Sequence, residues 1–218
     1  MAPNPSRRLQ LADAAVAILA RDGVHGLTHR AVDAEADVPK GTTSNYFRTR
    51  GALVEGAARR VGEQHRQHVE QVVLRVSEGG RDAVIQGLTL LVDAAVGVGR
   101  ERYLARFELA LESVRRPALA VLLRSEREDS VRLADDLIAR AGMLISRDRV
   151  DALASAITGI VFDRLALGVP SADTRSVVAA IIDGFVGAGA GWEATRPGVG
   201  NPETAHPGNP QGSRERTR

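Results

Sequence analysis

Cysteine is absent from this 218-residue chain, which excludes disulfides, thiolate metal centres and thiol nucleophiles together. Lysine is nearly absent, since Lys40 stands alone among 29 basic residues. The simplest source of that bias is a GC-rich coding sequence, although arginine's permanent charge and planar fork also suit phosphate contact. Aromatic residues make up 3% and give no sign of an aromatic cage or a multidrug-type pocket. No run of about 18 or more uncharged apolar residues occurs, so no membrane span and no membrane partner are expected. The segment after Met1 is amphipathic and broken by Asp13, unlike the apolar core of a signal peptide. A cytoplasmic protein stabilised by packing alone is therefore expected.

Enzymatic signatures are missing as well. There is no phosphate-cradling Gly-Lys-Ser/Thr loop and no Gly-x-Ser-x-Gly elbow. Gly187–Gly191 imitates a glycine-rich fingerprint, but no strand precedes it. His65 and His68 lie three apart without a carboxylate or Cys at ligand spacing. No catalytic residue, metal site or cofactor is expected.

What remains is helical. Apolar residues make up 44% and charged residues 26%, the balance of an ordinary globular protein. Alternating Val/Ile/Thr runs are lacking, and apolar residues recur at three- and four-residue spacing. Residues 1–60 carry nine Arg/Lys against six Asp/Glu, a surplus that permits nucleic-acid binding. Ser6 is expected to cap a first helix bearing Leu11, Ala15, Ile18 and Leu19, with Gly23 ending it in a left-handed conformation. Thr28 caps a short second helix to about Ala36. Asp37-Val38-Pro39-Lys40-Gly41 is a tight turn, with Val38 extended before Pro39 and Asp37 left-handed. A third short helix runs from Thr42 to Phe47. Thr49 caps a long fourth helix toward Val76.

Further helices are expected at 81–98 and 101–115, the latter with Tyr103, Phe107, Leu111 and Val114 as one stripe. Pro117 opens another to about Ala141, and two more follow at 147–168 and 173–191. Glu108 and Glu112, near Arg115 and Arg116, read as a solvated charged face. The tail, 193–218, is almost without apolar residues and is expected to be disordered.

Two short helices across a tight turn form a helix-turn-helix pattern, whose second helix can enter a major groove. The stretches Leu11–Gly23, Thr28–Val38 and Lys40–Leu53 resemble the TetR-family DNA-binding domain, over roughly residues 8–55. The resemblance implies an all-α protein of about nine helices. It has a three-helix DNA-binding domain (1–52), then an effector-binding and dimerisation domain (53–192). It implies a homodimeric repressor that reads a near-palindromic double-stranded operator and is released by a small-molecule effector. The alternative is an all-helical ligand-binding or scaffold module without operator recognition.

Carried over position by position, the resemblance places Thr28, Lys40 and Gly41 against phosphates. It makes Thr42, Thr43, Ser44 and Asn45 the exposed face of the recognition helix. Tyr46 falls where the family has a backbone-contacting aromatic or His, and Arg50 where it has a phosphate-binding Lys. The chemistry agrees: Asn45 can pair with an adenine edge and threonine methyls can touch thymine. Ser44 departs from the family's aromatic, Asp37 from its Gly, and Asp33 from its small buried residue. Asp33 is expected to turn to solvent or pair with Arg30.

For the effector, Tyr103, Arg106, Phe107 and Leu111 are the candidate lining, with Glu108 or Glu112 as further polar groups. For the dimer, Leu153, Ile157, Val161, Val178, Ile181 and Phe185 are candidates on two helix stripes. Gly159, Gly184 and Gly187 would allow close approach in a bundle of two such pairs.

Overall fold

A computed structural model describes residues 4–76, 79–168 and 173–186. Among these, every regular element is a helix: α1 (Pro5–Gly26), α2 (His29–Glu35), α3 (Thr42–Tyr46), α4 (Arg50–Val73), α5 (Gly80–Val96), α6 (Arg100–Ser113), α7 (Pro117–Arg140), α8 (Arg147–Ala166) and α9 (Thr174–Val186). The expected all-α architecture of about nine helices is met. The tail 193–218, Gly187 and the end of the last predicted helix (187–191) lie outside the described residues. No single described helix is long and apolar enough to cross a membrane.

Helix ends follow local chemistry. Thr28 Oγ1 accepts from the Ala31 amide at 3.1 Å and Thr49 Oγ1 from the Ala52 amide at 3.0 Å, satisfying donors that a first turn leaves free. Pro117 sits in the first turn of α7. Asp37, with φ 48°, is the one described non-glycine residue in the left-handed region. Gly23 breaks α1 with φ 67°, and one more turn follows beyond the kink. The start of α1 differs from expectation. Asn4, not Ser6, is the cap, its Oδ1 accepting from the Ser6 and Arg7 amides at 3.0 and 3.4 Å. Pro5 can then open the helix at no hydrogen-bond cost.

Two apolar clusters organise the chain. The first joins α1, α2, Phe47 and the N-terminal half of α4, and takes in Ala105 and Leu109 of α6 and Leu119 of α7. Leu11, Ile18, Leu19 and Leu53 are fully buried in it, each contributing roughly 1.5–3 kcal/mol. The second joins the C-terminal half of α4 with α5, α7, α8 and α9, around Ile85, Leu137, Leu153 and Ile182. Helix α4 has 24 residues, so it spans about 36 Å and contributes to both clusters.

The stripe expected on α6 does not bury as a unit. Tyr103, Ala105 and Leu109 are buried, whereas Leu111 is 61% and Val114 82% exposed. Helix α6 lies against α1, α4 and α7, so its covered arc is wide. At about 100° per residue that arc runs from Ala105 through Arg106 and Leu109 to Tyr103 and Phe107. Leu111 and Val114 lie at the C-terminal end of α6, where Ala110 is exposed as well. A four-residue spacing read from sequence located a buried face but placed its centre wrongly, because the centre of the covered arc is Arg106.

Candidate nucleic-acid interface and internal cavity

Helix α3 has five residues, too few to be stable by itself, and its neighbours hold it at both ends. At its start, the Asp33 carboxylate on α2 accepts from the Gly41 amide (2.7 Å), the Thr43 amide (2.7 Å) and the Thr43 hydroxyl (2.5 Å). Burial alone would raise the Asp33 pKa, but the hydrogen bonds from Thr43 and Gly41 outweigh it and hold the carboxyl below its ordinary value. At its end, Arg8 of α1 donates to the Tyr46 carbonyl at 2.8 Å and stacks over the Phe47 ring at 4.4 Å. His29 Nε2 lies 2.6 Å from the Phe47 carbonyl and is its donor, because a carbonyl can only accept.

This arrangement corrects two expectations. Asp33 neither faces solvent nor pairs with Arg30; it is buried and caps α3. Thr43 is not on the exposed face. It is fully buried, because its amide and hydroxyl both turn inward to Asp33. The outward surface is made by Ser44 and Asn45, which are exposed, flanked by exposed Lys40 and Gly41 and half-buried Thr42 and Tyr46. Gly41 adopts φ 89°, a conformation open to glycine at little cost. Thr28 is exposed beside its capping bond. Arg50 is exposed too, but one of its nitrogens donates to the Val24 carbonyl at 2.7 Å. Arg8 and His29 carried no motif signal.

A cavity of about 310 Å³ lies between α4, α6, α7 and α8, and a smaller one of about 70 Å³ adjoins it. The larger lies at the lower end of the ordinary range for ligand sites. Of the expected lining, Arg106 faces both chambers, Phe107 the larger and Tyr103 the smaller. Leu111 is corrected: it lines neither and projects outward from the exposed last turn of α6. Sequence reasoning missed His65, Glu126 and Arg127, which also face the space. His65 is buried on α4 with its ring edge-on to Tyr103 at 5.6 Å, and Tyr103 and Phe107 are 6.3 Å apart. Burial, then Arg106, Arg102 and His68, hold the His65 pKa well below its ordinary value. Among the described residues no group of three or more His, Asp or Glu side chains could hold a metal ion.

The two charged residues near this region behave differently from one another. Glu112 pairs with Arg115 and Arg116, but its own side chain is only 12% exposed, so it is not the solvated charge expected. Glu108 instead accepts from the Val24 amide at 3.3 Å, just after the α1 kink.

The expected dimer residues divide in the same way. Leu153, Val161 and Val178 are 2%, 1% and 0% exposed. They are occupied by the chain's own core, so they cannot meet a second copy. Ile157, Ile181 and Phe185 are half-buried. The outward side of α8 is a different stripe, with Ser155, Gly159, Phe162 and Ala166 exposed at three- and four-residue spacing. On α9, Ser176, Ala180 and Gly184 are exposed at four-residue spacing. A Cβ added at Gly159 or Gly184 would meet nothing within 4 Å.

A short clamped helix beyond a tight turn, set on a larger helical body with a cavity, defines the class of one-component DNA-binding regulators. The family model described as Tetracyclin repressor-like, C-terminal domain, matches residues 79–188. The chain belongs to the TetR family of transcriptional regulators. Among solved structures, the multidrug binding protein EbrR in complex with imidazole is 27% identical, with a TM-score of 0.64 over 82% of this chain and 90% of that one. A TetR-family member from Streptomyces coelicolor A3 is 28% identical, with a TM-score of 0.65 over 81% and 98%. A transcriptional regulator from Rhodococcus sp. Rha1 shares the fold at 18% identity, with a TM-score of 0.66 over 83% and 96%. No curated protein matches the chain in sequence.

Proposed function

We propose that the chain is a dimeric, non-enzymatic repressor that grips a near-palindromic operator and releases it when a small molecule enters the body. In this reading residues 1–52 form the reading head and 53–192 the sensing and pairing body. Ser44 and Asn45 read bases, Thr42 and Tyr46 flank them, and Thr28, Lys40, Gly41 and Arg50 meet phosphates. Pairing uses the exposed stripes of α8 and α9 around Gly159, Phe162 and Gly184, with Ile157, Ile181 and Phe185 at their margins.

The observation that carries the regulatory part is the double duty of α6. Ala105 and Leu109 pack into the cluster that supports α3, while Arg106 and Phe107 face the cavity. The same helix ends a clamp on Val24, whose amide donates to Glu108 and whose carbonyl accepts from Arg50. A ligand that moves α6 therefore moves the head. Release follows if the ligand binds the DNA-incompetent arrangement more tightly, a population shift. The structures of EbrR with imidazole and with ethidium support a small molecule as the trigger.

The test is fluorescence anisotropy on duplexes from the DNA flanking the protein's own gene. Specific binding with a log–log salt slope near about −7 is expected if each head neutralises about four phosphates. Arg50→Ala should weaken binding to all sequences and flatten the slope, whereas Asn45→Ala should relax preference at one half-site position. Binding without preference among duplexes would favour the scaffold alternative instead.

A further inference from the structure

The polar groups of the cavity are unbalanced in sign. The two chambers share Arg106, Arg127, His65, Ser130 and Thr158. Arg127 is already engaged, donating to Asp151 Oδ1 at 2.8 Å and to Ser155 Oγ at 2.9 Å. Arg106 has no hydrogen-bond or ion-pair partner among the described residues, although it sits at the centre of the covered arc of α6 with Tyr103 beside it. Burial pulls its guanidinium below the usual arginine value, opposed first by Tyr103. Among the described residues Glu126 is the one carboxylate in the lining, and it attracts Arg106 without a hydrogen bond or ion pair to it. It packs against the backbone of Gly62, and burial pushes its pKa up, opposed by Arg59, Arg106 and Arg66. His65 is held neutral.

Arg106 is half-buried, and a partly desolvated guanidinium without a hydrogen-bonded partner is costly to keep. Around it the walls are apolar, with Val61, Phe107, Leu109 and Leu123 in the larger chamber. An arginine fork in such a setting matches a carboxylate bidentately.

We infer that the effector is an amphipathic carboxylate, its head on Arg106 and its apolar body along Val61, Phe107, Leu109 and Leu123. This inference rests on the effector-sensing role proposed above and names the chemistry of its ligand. The bound carboxylate supplies the hydrogen-bonded partner that Arg106 lacks among the described residues. Apolar contact fills the space next to α6, whose movement is the output.

The test uses the full chain and sub-micellar probes of similar apolar bulk. Decanoate and 2-naphthoate are the acids, decylammonium and decanol the controls, each titrated calorimetrically. At least one acid should bind about tenfold or more tightly than both controls, a gap typical of one charge-assisted pair. Arg106→Gln should cost at least about tenfold in acid affinity and should raise the melting temperature of the ligand-free protein, because a partly desolvated charge without a hydrogen-bonded partner is gone. A merely structural arginine would not give that opposite pair of effects. Tighter binding of decylammonium, equal acid affinity in Arg106→Gln, or failure of both acids to bind would overturn the inference. The same probes added to the operator complex separate the two levels. Acid binding without DNA release retires the regulatory role and keeps the ligand class, whereas release by decylammonium alone does the reverse.

Discussion

Replacing Asp33 by alanine removes the acceptor for three groups at the start of α3: the Gly41 amide, the Thr43 amide and the Thr43 hydroxyl. Hydrogen bonds to a charged group contribute roughly 1.5–3 kcal/mol each, but three do not simply add here. Gly41 is exposed, so water replaces its partner at little cost. The Thr43 hydroxyl can rotate toward another acceptor. The Thr43 amide is buried and stays unpaired, at roughly 1–3 kcal/mol. Deleting the buried carboxylate also recovers part of its desolvation cost. The net loss is about 1–3 kcal/mol, or roughly 3–9 °C in a chain of this size. Asp33→Asn keeps one acceptor for Thr43 but turns an amide donor toward the Gly41 amide, and should lose about half as much. Operator affinity should fall further than stability does, because the other N-terminal bonds of α3 run from Thr42 to Pro39 in the adjoining turn and only Asp33 ties it to α2. Urea unfolding at one fixed protein concentration gives the first quantity and anisotropy the second. An Asp33→Ala protein within about 1 kcal/mol of wild type and with unchanged operator affinity would refute the assignment of Asp33 as the clamp.

Three other outcomes are expected. Gly56→Ala should destabilise by about 1–3 kcal/mol in urea, because a Cβ there would collide with the buried Phe47 ring; an unchanged midpoint would show that the ring can yield. His65 has a folded pKa well below its unfolded one, so the unfolded chain takes up a proton that the folded one refuses. Its contribution to stability is complete above its unfolded pKa of about 6.5 and is lost below it by up to about 1.4 kcal/mol per pH unit. His65→Asn should flatten the stability slope between pH 7 and 5, and an unaltered slope would place the sensitivity elsewhere. Phe162→Arg, on the exposed side of α8, should convert a dimer into folded monomers in sedimentation velocity. A persisting dimer would move the pairing face off that stripe.

Local chemistry made much of the head legible. Thr28 and Thr49 cap helices because a hydroxyl there meets free amides, whatever surrounds it. Asp37 and Gly41 adopt positive φ for equally local reasons. The signal failed where a side chain's partner lies on another helix. Asp33 looked misplaced by helix pattern alone, since nothing near it in sequence marks Thr43 as its partner ten residues later. The link from Glu108 to Val24 spans 84 positions and has no motif at all. Apolar spacing on α8 identified a buried stripe, but could not say whether that stripe meets its own chain or a second one.

Element type, helix limits within a few residues and the position of the reading helix were properties of short stretches of sequence. They depend on caps, turns and periodicity that neighbours alone decide. Tertiary structure decided which of those faces are covered. It buried Thr43 beneath Asp33, turned Leu111 to the surface, gave Leu153, Val161 and Val178 to the internal core, and left Arg106 facing a cavity without a partner. Burial is a relation between helices distant in sequence, so only their packing determines it.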